Sequence, residues 1–380
     1  MLVSDLVRAM DDIAPLRYAE SWDNVGLLIG DGSRPLRNGV LLTIDLTESV
    51  VREAREMGAG AVVSYHPPIF RPINRITASG MGGVILAAIE AGLAVYAPHT
   101  SLDGAPGGMT DWLADGLVNR FGTSGGDRRA LRPHLSRRET EEVKIVTFVP
   151  RDAVDRVRSA LASGGAGKIG NYDLCSFGCE GTGTFFGGEG AQPAVGEAGK
   201  LEEVPEVRLE MVCSRRALPV AIETLRQFHP YEEPAIDVYE LVGRPERSAG
   251  AGRRIKLDQP TTVERLAQAV KEYLGVQGVY VARAIGAGAD TEVDTVGVCC
   301  GSGGELAALA LAEGCHVYIT GEMKHHETLA AVEAGMSIIT AGHTATERGY
   351  LPHLATKLRE RLSGVRVEVS RADRSPFVLM

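Results

Sequence analysis

Apolar runs of strand length alternate with stretches of helical spacing along most of this chain. The strand-like runs cover residues 39–45, 59–64, 93–97, 294–300, 317–320 and 337–340. Between neighbouring runs, apolar residues recur every three or four positions, which is the spacing of a helix with one buried face. This alternation predicts strand–helix–strand units around a largely parallel sheet, as in an α/β protein.

The middle of the chain follows a different pattern. Residues 143–241 predict the order β-α-β-β-α-β, which is typical of a ferredoxin-like α+β domain. Polar stretches rich in Gly and Arg flank this segment at residues 126–142 and 242–254, and we predict that they are linkers. Residues 1–125 and 255–380 would then form one α/β core that carries an inserted domain.

Polar side chains with metal-binding chemistry follow several of the predicted core strands. These residues are His66, His99, Asp103, His325, His326, His343 and Glu347, and they include five of the nine histidines. If the strands are parallel, their carboxyl ends meet at one edge of the sheet, where open α/β sheets bind ligands. Imidazole and carboxylate groups suit Zn²⁺, Mn²⁺ or Fe²⁺, so we predict a divalent metal site there.

His343 and Glu347 support this prediction by their spacing. The segment after Gly342 has helical spacing, so side chains four residues apart project from the same face. The alternative is an exposed histidine at a helix N-terminus with Glu347 paired to Arg348 or solvent.

Other polar positions allow two interpretations each. The glycine-rich turn at residues 301–304 either cradles a phosphate or is a plain tight turn. Asp45, after the second strand, either faces the site or caps the next helix, and capping is favoured. Trp22 and Asn24 either contact a ligand or close their turn. His229 with the acidic residues after it either forms a second metal site or shapes a loop.

Composition narrows the classes of function. The formal net charge of −9 argues against a general nucleic-acid or anionic-membrane surface. Six cysteines, none in a C-x-x-C pair, indicate reduced thiols in a cytoplasmic protein. We find no apolar run long enough to span a bilayer.

Several motifs together resemble those of the GTP cyclohydrolase 1 type 2 homologue family, also called the NIF-three-like proteins. The core motifs are S-W-D-N-V-G-L-L-I-G, Y-H-P-P-I-F, H-T-S-L-D-G-A-P-G-G, G-S-G-G, T-G-E-M-K-H-H-E and A-G-H-T-A-T-E-R. Within the insert, G-A-G-K-I-G-N-Y-D-L-C-S-F and H-P-Y-E-E-P-A-I-D resemble longer bacterial members, whose inserted domain is similar to the PII/CutA fold. The resemblance implies an α/β core, a ring-shaped homohexamer enclosing a cavity, and two metal ions per subunit.

The resemblance also implies roles for particular residues. Carried over by motif, the metal ligands are His66, Asp103, His343 and Glu347, and polar positions near the site are His99 and His326. The family motif has two adjacent histidines before the proline, and Tyr65 stands in the place of the first. Because a phenol is a weak ligand unless ionised, we expect one of the two metals to bind poorly.

The resulting hypothesis is a metal-dependent hydrolase that acts on a nucleotide-like or phosphorylated small molecule. The family name implies GTP ring opening, and His99 or His326 would transfer protons. The alternative is a non-catalytic protein that binds metal or a ligand, or a regulatory interaction protein. A dinucleotide-binding protein that uses residues 301–304 is a third interpretation.

Overall fold

The computed structural model describes residues 1–377. It divides into two compact units, one of residues 1–134 with the chain from Glu246 onward, the other of residues 135–245. Its helices are α1 (Val3–Ile13), α2 (Glu48–Met57), α3 (Gly80–Glu90), α4 (His99–Gly104), α5 (Met109–Phe121), α6 (Val154–Ser163), α7 (Leu218–Phe228), α8 (Val263–Leu274), α9 (Ala307–Ala312), α10 (His325–Glu333), α11 (Ala345–Arg348) and α12 (Leu351–Arg361).

The strands complete the description of the elements. They are β1 (Gly26–Ile29), β2 (Val40–Thr43), β3 (Ala61–Ser64), β4 (Ala94–Ala97), β5 (Thr123–Arg129), β6 (Arg132–Ser136), β7 (Val143–Pro150), β8 (Phe177–Phe186), β9 (Leu201–Cys213), β10 (Ile236–Glu240), β11 (Arg244–Ala251), β12 (Arg253–Thr262), β13 (Tyr280–Ala282), β14 (Glu292–Val298), β15 (Val317–Thr320), β16 (Ser337–Thr340) and β17 (Val367–Val369).

The larger unit is built on a five-stranded and a six-stranded sheet, and β6 and β11 form a further two-stranded sheet. The first has the order β1-β4-β3-β2-β17, and all its neighbours are parallel except β1 and β4. The second has the order β13-β16-β15-β14-β12-β5, with β14, β15 and β16 parallel and the outer strands antiparallel. The expectation that all the polar residues gather at one edge of one sheet is therefore wrong. Their strands belong to two sheets.

Burial explains why the central strands read as continuous apolar runs. Every residue of β2, β3, β4 and β15 is buried, as expected for parallel strands covered on both faces. One hydrophobic cluster contains side chains from both sheets and from α5, including Val63, Leu113 and Ile319. Helix α5 is buried on most of its surface, so it contributes to a core common to both sheets.

The smaller unit has a sheet of its own, with the order β10-β7-β9-β8 and antiparallel neighbours. The predicted order β-α-β-β-α-β is present as β7-α6-β8-β9-α7-β10. Side chains from α6 and α7 pack on one face of this sheet and form a separate core that includes Val157, Leu209 and Leu225. The stretches predicted as linkers carry β6, β11 and parts of β5 and β12.

Within the described residues, we find no helix that combines the length and apolar character needed to cross a bilayer.

A buried ion pair joins α5 to the second sheet. Arg253 of β12 is 1% exposed, and its guanidinium donates to both carboxylate oxygens of Asp111 at 2.9 and 3.2 Å. The same guanidinium donates to four backbone carbonyls, those of Gly104, Ala105, Gly250 and Gly252. Every polar direction of this buried cation is therefore satisfied, which is the condition for such a pair to be tolerated in a core.

Asp111→Asn should destabilise the protein by about 3–5 kcal/mol, because it leaves the buried Arg253 without its countercharge. Burial opposes ionisation of Asp111, but Arg253 outweighs it and lowers the pKa of this carboxyl below its ordinary value. The stabilisation is thus present above the unfolded-state pKa and is lost as pH falls through the lower native pKa. Denaturant titrations between acid and neutral pH measure both effects.

Glu272→Gln is the control, because Glu272 pairs with Arg120 of α5 on the surface, with 49% of its side chain exposed. We expect it to change stability far less than Asp111→Asn does. Equal losses of unfolding free energy in the two variants would show that burial of the Asp111–Arg253 pair does not increase its contribution to stability.

Candidate metal centre

The first sheet delivers His66 to the centre. Strand β3 ends at Ser64, and Pro67 and Pro68 prevent further strand pairing just after His66. The backbone of this turn is held from both sides. The amide of His66 donates to the carbonyl of Ile44 at 3.0 Å, and the amide of His99 donates to the carbonyl of Tyr65 at 3.1 Å.

The second sheet delivers His343 and Glu347. After β16 the chain turns at Gly342, whose φ of +91° favours glycine, and α11 begins at Ala345. Helical spacing predicted one helix through this region. The structure instead has the short α11 followed by α12, with Pro352 in the first turn of α12. The predicted pairing of the two side chains is nonetheless present.

His66, His343 and Glu347 converge on one point. Each offers a ligand atom, and these atoms all lie within 4.8 Å of one another. Oε1 of Glu347 is 3.0 Å from Nε2 of His343 and 3.8 Å from Nε2 of His66. Oε2 of Glu347 is buried and has no hydrogen-bond partner among the described residues. Two imidazoles and a buried carboxylate with an unused oxygen form a donor set that fits a divalent transition metal.

A second carboxylate lies behind each imidazole. Nδ1 of His66 is 2.8 Å from Oδ1 of Asp45, and Nδ1 of His343 is 3.0 Å from Oε1 of Glu322. Metal-binding histidines usually donate their other ring N–H in this way, which fixes the ring and leaves the opposite nitrogen for the metal. Both rings therefore direct Nε2 to the same place as Glu347.

The charges of the group depend on one another. Burial alone would lower the pKa of His66, but Asp45 and Glu347 raise it to about 10. Hydrogen bonding to Glu347 raises the pKa of His343 to about 9. Burial opposes ionisation of Glu347, yet the two histidines lower its pKa. At neutral pH each histidine therefore carries an extra proton, and a divalent cation that displaces these two protons carries the same charge.

The glycine-rich turn after β14 gives the centre room. Gly301 has φ of +61°, and a Cβ on it would lie 2.5 Å from Oε1 of Glu347. Its amide donates to Oγ1 of Thr346 at 2.9 Å, and the amide of Gly303 donates to Oγ1 of Thr320 at 3.1 Å. Since both N–H groups are already used, the phosphate-cradle interpretation loses two of its donors. The glycines instead permit close packing against Glu347.

Asp103 lies near this group but is engaged elsewhere. Oη of Tyr65 is 2.8 and 2.9 Å from its two carboxylate oxygens, and Sγ of Cys300 is 3.2 Å from Oδ1. Burial raises the pKa of Asp103 to about 6. Burial and Asp103 raise the pKa of Tyr65 well above its ordinary value, so the phenol stays protonated and donates a hydrogen bond to Asp103. Asp103 is therefore held by two neutral donors.

His99 is fixed in a strained position beside the centre. Its φ is +32°, uncommon for a residue other than glycine and typical of functional sites. Nδ1 is 2.8 Å from Oδ1 of Asp23, whose Oδ2 accepts from both the amide and the hydroxyl of Thr100. The ring lies 5.4 Å from the ring of His66.

The other predicted positions lie elsewhere. His326 is exposed in the first turn of α10 and does not line the cavity beside the centre, and His325 is exposed next to it. In the smaller unit, Nε2 of His229 bonds the carbonyl of Phe148, and its Nδ1 accepts from the amide of Tyr231. His229 is thus a structural residue, since both ring nitrogens are used.

Four contributing residues were not assigned to the site from sequence: Asp23, Cys300 and Glu322 had no role, and for Asp45 a place at the site was the less favoured alternative. Asp45 was expected to cap α2, and that expectation is wrong, because Thr47 caps the helix by accepting from the amide of Val50. A signal was nevertheless present. Asp45, Cys300 and Glu322 each lie two residues after the end of a strand, as His66 and His99 do, whereas Asp23 precedes β1.

A cavity of about 160 Å³ opens beside the metal-binding group. Tyr65, His66, His99, Asp103 and Glu347 line it, together with the backbone of the glycine-rich turn. Fold and site together define an α/β protein with a candidate divalent-metal centre at the carboxyl ends of strands from two sheets.

Comparison with known proteins agrees with this class. The family described as Duf34/NIF3 (NGG1p interacting factor 3) matches residues 1–376. The curated GTP cyclohydrolase 1 type 2 homolog of Bacillus subtilis is 35% identical over 380 residues, which cover 99% of this chain and 98% of the relative. This chain belongs to the Duf34/NIF3 family.

Solved structures show the same fold. A Bacillus cereus protein related to NIF3 is 34% identical with a TM-score of 0.63, over 100% of this chain and 99% of that one. Staphylococcus aureus protein SA1388 is 28% identical with a TM-score of 0.72, over the same shares of the two chains.

Gly301→Ala should lower the affinity for Zn²⁺ by roughly 10-fold or more, because its Cβ would displace the buried Glu347 carboxylate. Calorimetric titration of Zn²⁺ measures this. Gly314→Ala is the matched control, with φ of +73° and no atom within 4 Å of the added Cβ. It introduces similar backbone strain and should bind Zn²⁺ normally. Equal weakening in both variants would contradict the steric argument.

Proposed function

We propose that this protein is a metal-dependent hydrolase that acts on a nucleotide-like or phosphorylated small molecule. One observation carries the proposal: the convergence of His66, His343 and Glu347, with a carboxylate behind each imidazole and one buried Glu347 oxygen left without a partner. A divalent cation held there would act as a Lewis acid and would activate water at neutral pH.

The protein's own residues supply the remaining functions. Glu347 and the two histidines hold the cation, while Asp45 and Glu322 keep the imidazoles oriented. With Nδ1–H donated to Asp23, Nε2 of His99 is the ring nitrogen left to take up a proton and return it to a leaving group. The name of the curated relatives, GTP cyclohydrolase 1 type 2 homolog, supports a nucleotide-like substrate.

We further propose that the cation held by His66, His343 and Glu347 is the tightly bound one and that a second, at Asp103, is weak. The hydrogen bonds from Tyr65 and Cys300 to Asp103 support this, because a second cation would have to displace two neutral donors. The role of His326 stays a prediction. The homohexamer expected from the family resemblance and the cytoplasmic location expected from the cysteines are also part of the proposal.

His343→Ala should abolish both tight Zn²⁺ binding and metal-dependent turnover, because it removes one of the three ligands of the candidate centre. His99→Gln should keep the metal but lower kcat by roughly 10²–10⁴-fold, since it removes the proton carrier. A screen of nucleotides and phosphoesters with each metal measures turnover. His353→Ala, an exposed histidine in α12, serves as the control. Turnover that survives in His343→Ala would refute the hydrolase proposal.

Wild-type protein dialysed against metal-free buffer should retain one Zn²⁺ per chain, and Tyr65→His should retain a second, because an imidazole binds the cation where a protonated phenol does not. Tyr65→Phe is the control, since it removes the hydrogen bonds to Asp103 without adding a ligand. Elemental analysis gives the stoichiometry. Two tightly held ions in the wild type would show that a cation readily displaces the hydrogen bonds of Tyr65 and Cys300 to Asp103.

A second candidate is a regulatory protein that binds metal and a small ligand without turnover. A cavity of about 640 Å³ in the smaller unit favours it, bounded by β8, β9 and residues 187–195 and lined by Phe148, Phe185 and Tyr231. The strand order of this unit supports assigning it to the ferredoxin-like PII/CutA class. Metal binding with no turnover across the same substrate screen would favour this candidate.

A further inference from the structure

Two exposed aromatic side chains stand at the mouth of the candidate metal centre. The side chains of Trp22 and Phe70 are on loops, and the residues are 52% and 45% exposed. Their rings lie 6.0 Å apart at an interplanar angle of 62°. A single exposed aromatic residue is ordinary on a protein surface, but two in contact beside a polar cavity form a surface suited to a ligand.

Hydrogen bonds hold both loops in place. The side-chain amide of Asn24 donates to the carbonyl of Ile69, which ties the Trp22 loop to the residue before Phe70. On the other side, Asp23 binds His99 and Thr100. Trp22 directly precedes these two anchored residues, so hydrogen bonds fix the turn that presents its ring. Asn24 therefore closes the turn, which is one of the two interpretations from sequence, and the ring of Trp22 remains exposed.

His99 connects this surface with the metal-binding group. Its ring lies 6.1 Å from the ring of Trp22, 6.4 Å from that of Phe70 and 5.4 Å from that of His66. Trp22 also lines the cavity of about 160 Å³. At roughly 30 Å³ per water molecule, that cavity holds only a few waters, so it accepts a reacting group and not a whole nucleotide.

We propose that Trp22 and Phe70 form a stacking platform for the planar heterocycle of the substrate, whose reacting group enters the cavity beside His66, His343 and Glu347. This rests on the proposed hydrolase function and narrows its substrate class to compounds with a planar ring of nucleobase type. The indole face stacks on the ring, and Phe70 contacts the ring at an inclined angle. His99 lies between the stacked ring and the cation site.

The chemistry of stacking favours a heterocycle over a simple sugar phosphate. A sugar phosphate has no π-face and would gain little from an indole, whereas stacking on an aromatic side chain contributes roughly 10-fold in affinity per base. A second copy of this chain could also cover the two rings, and the experiment below separates that case.

The chain contains two tryptophans, and Trp112 is 8% exposed in the core, so Trp112→Phe leaves Trp22 as the only indole emitter. In this variant, GMP should quench the Trp22 emission, and the quenching should saturate as the GMP concentration rises. Ribose 5-phosphate should not quench it. Calorimetry on the full chain should show that Trp22→Leu weakens GMP binding about 10-fold, whereas Trp22→Phe keeps most of it. Tyr172→Leu, which alters an exposed aromatic residue of the smaller unit, should leave binding unchanged.

Measurement in His343→Ala separates this inference from the proposed function. Quenching by GMP that persists in this variant supports the platform even if no turnover is found. Equal binding of ribose 5-phosphate and GMP, or unchanged GMP binding in Trp22→Leu, would overturn the proposal. So would Trp22 emission that changes with protein concentration but not with GMP, because the rings would then contact a second copy of the chain.

Discussion

The buried guanidinium of Arg253 is the constraint on which the geometry of the candidate site depends. It projects from β12 in the second sheet and binds Asp111 at the start of α5. The same guanidinium also donates to the carbonyls of Gly104 and Ala105, the residues directly after Asp103. Another side chain at position 253 would not make all of these hydrogen bonds. The Arg253 side chain thereby joins the sheet that carries His343 to the loop after His99 and Asp103. The distances within the site depend on this link, although Arg253 contributes nothing to the chemistry.

Each sheet by itself supplies an incomplete set of ligands. His66 comes from the first sheet, and His343 with Glu347 comes from the second. The electrostatics link the two sheets, since Glu347 helps to raise the pKa of both histidines and both histidines lower the pKa of Glu347. A buried carboxylate without the histidines would be unfavourable. Assembly of the two sheets and ionisation of the site are therefore coupled.

Much of the site could be predicted from sequence, and the reasons for the failures are physical. Four-residue spacing sufficed to pair His343 with Glu347, and prolines sufficed to place His66 at a strand end. Division of the strands into two sheets could not be predicted, because apolar runs do not encode which strands pair. The role of Asp45 could not be predicted either. A carboxylate before a helix can cap that helix or contact a residue of another strand end, and tertiary packing places His66 beside Asp45. The exposure of His326 likewise depends on which face of α10 packs inward.

The topology of the insertion has a consequence for how such proteins diversify. The chain leaves the larger unit after His134 and returns at Glu246, and both crossing points lie on β6 and β11, which are neighbours in a two-stranded sheet. Entry and exit are thus adjacent, and a short hairpin could close the gap. The intervening module can therefore be lost, exchanged or redesigned by recombination without disturbing the residues that gather the ligands. Selection can act on the smaller unit and on the pocket of the larger unit separately.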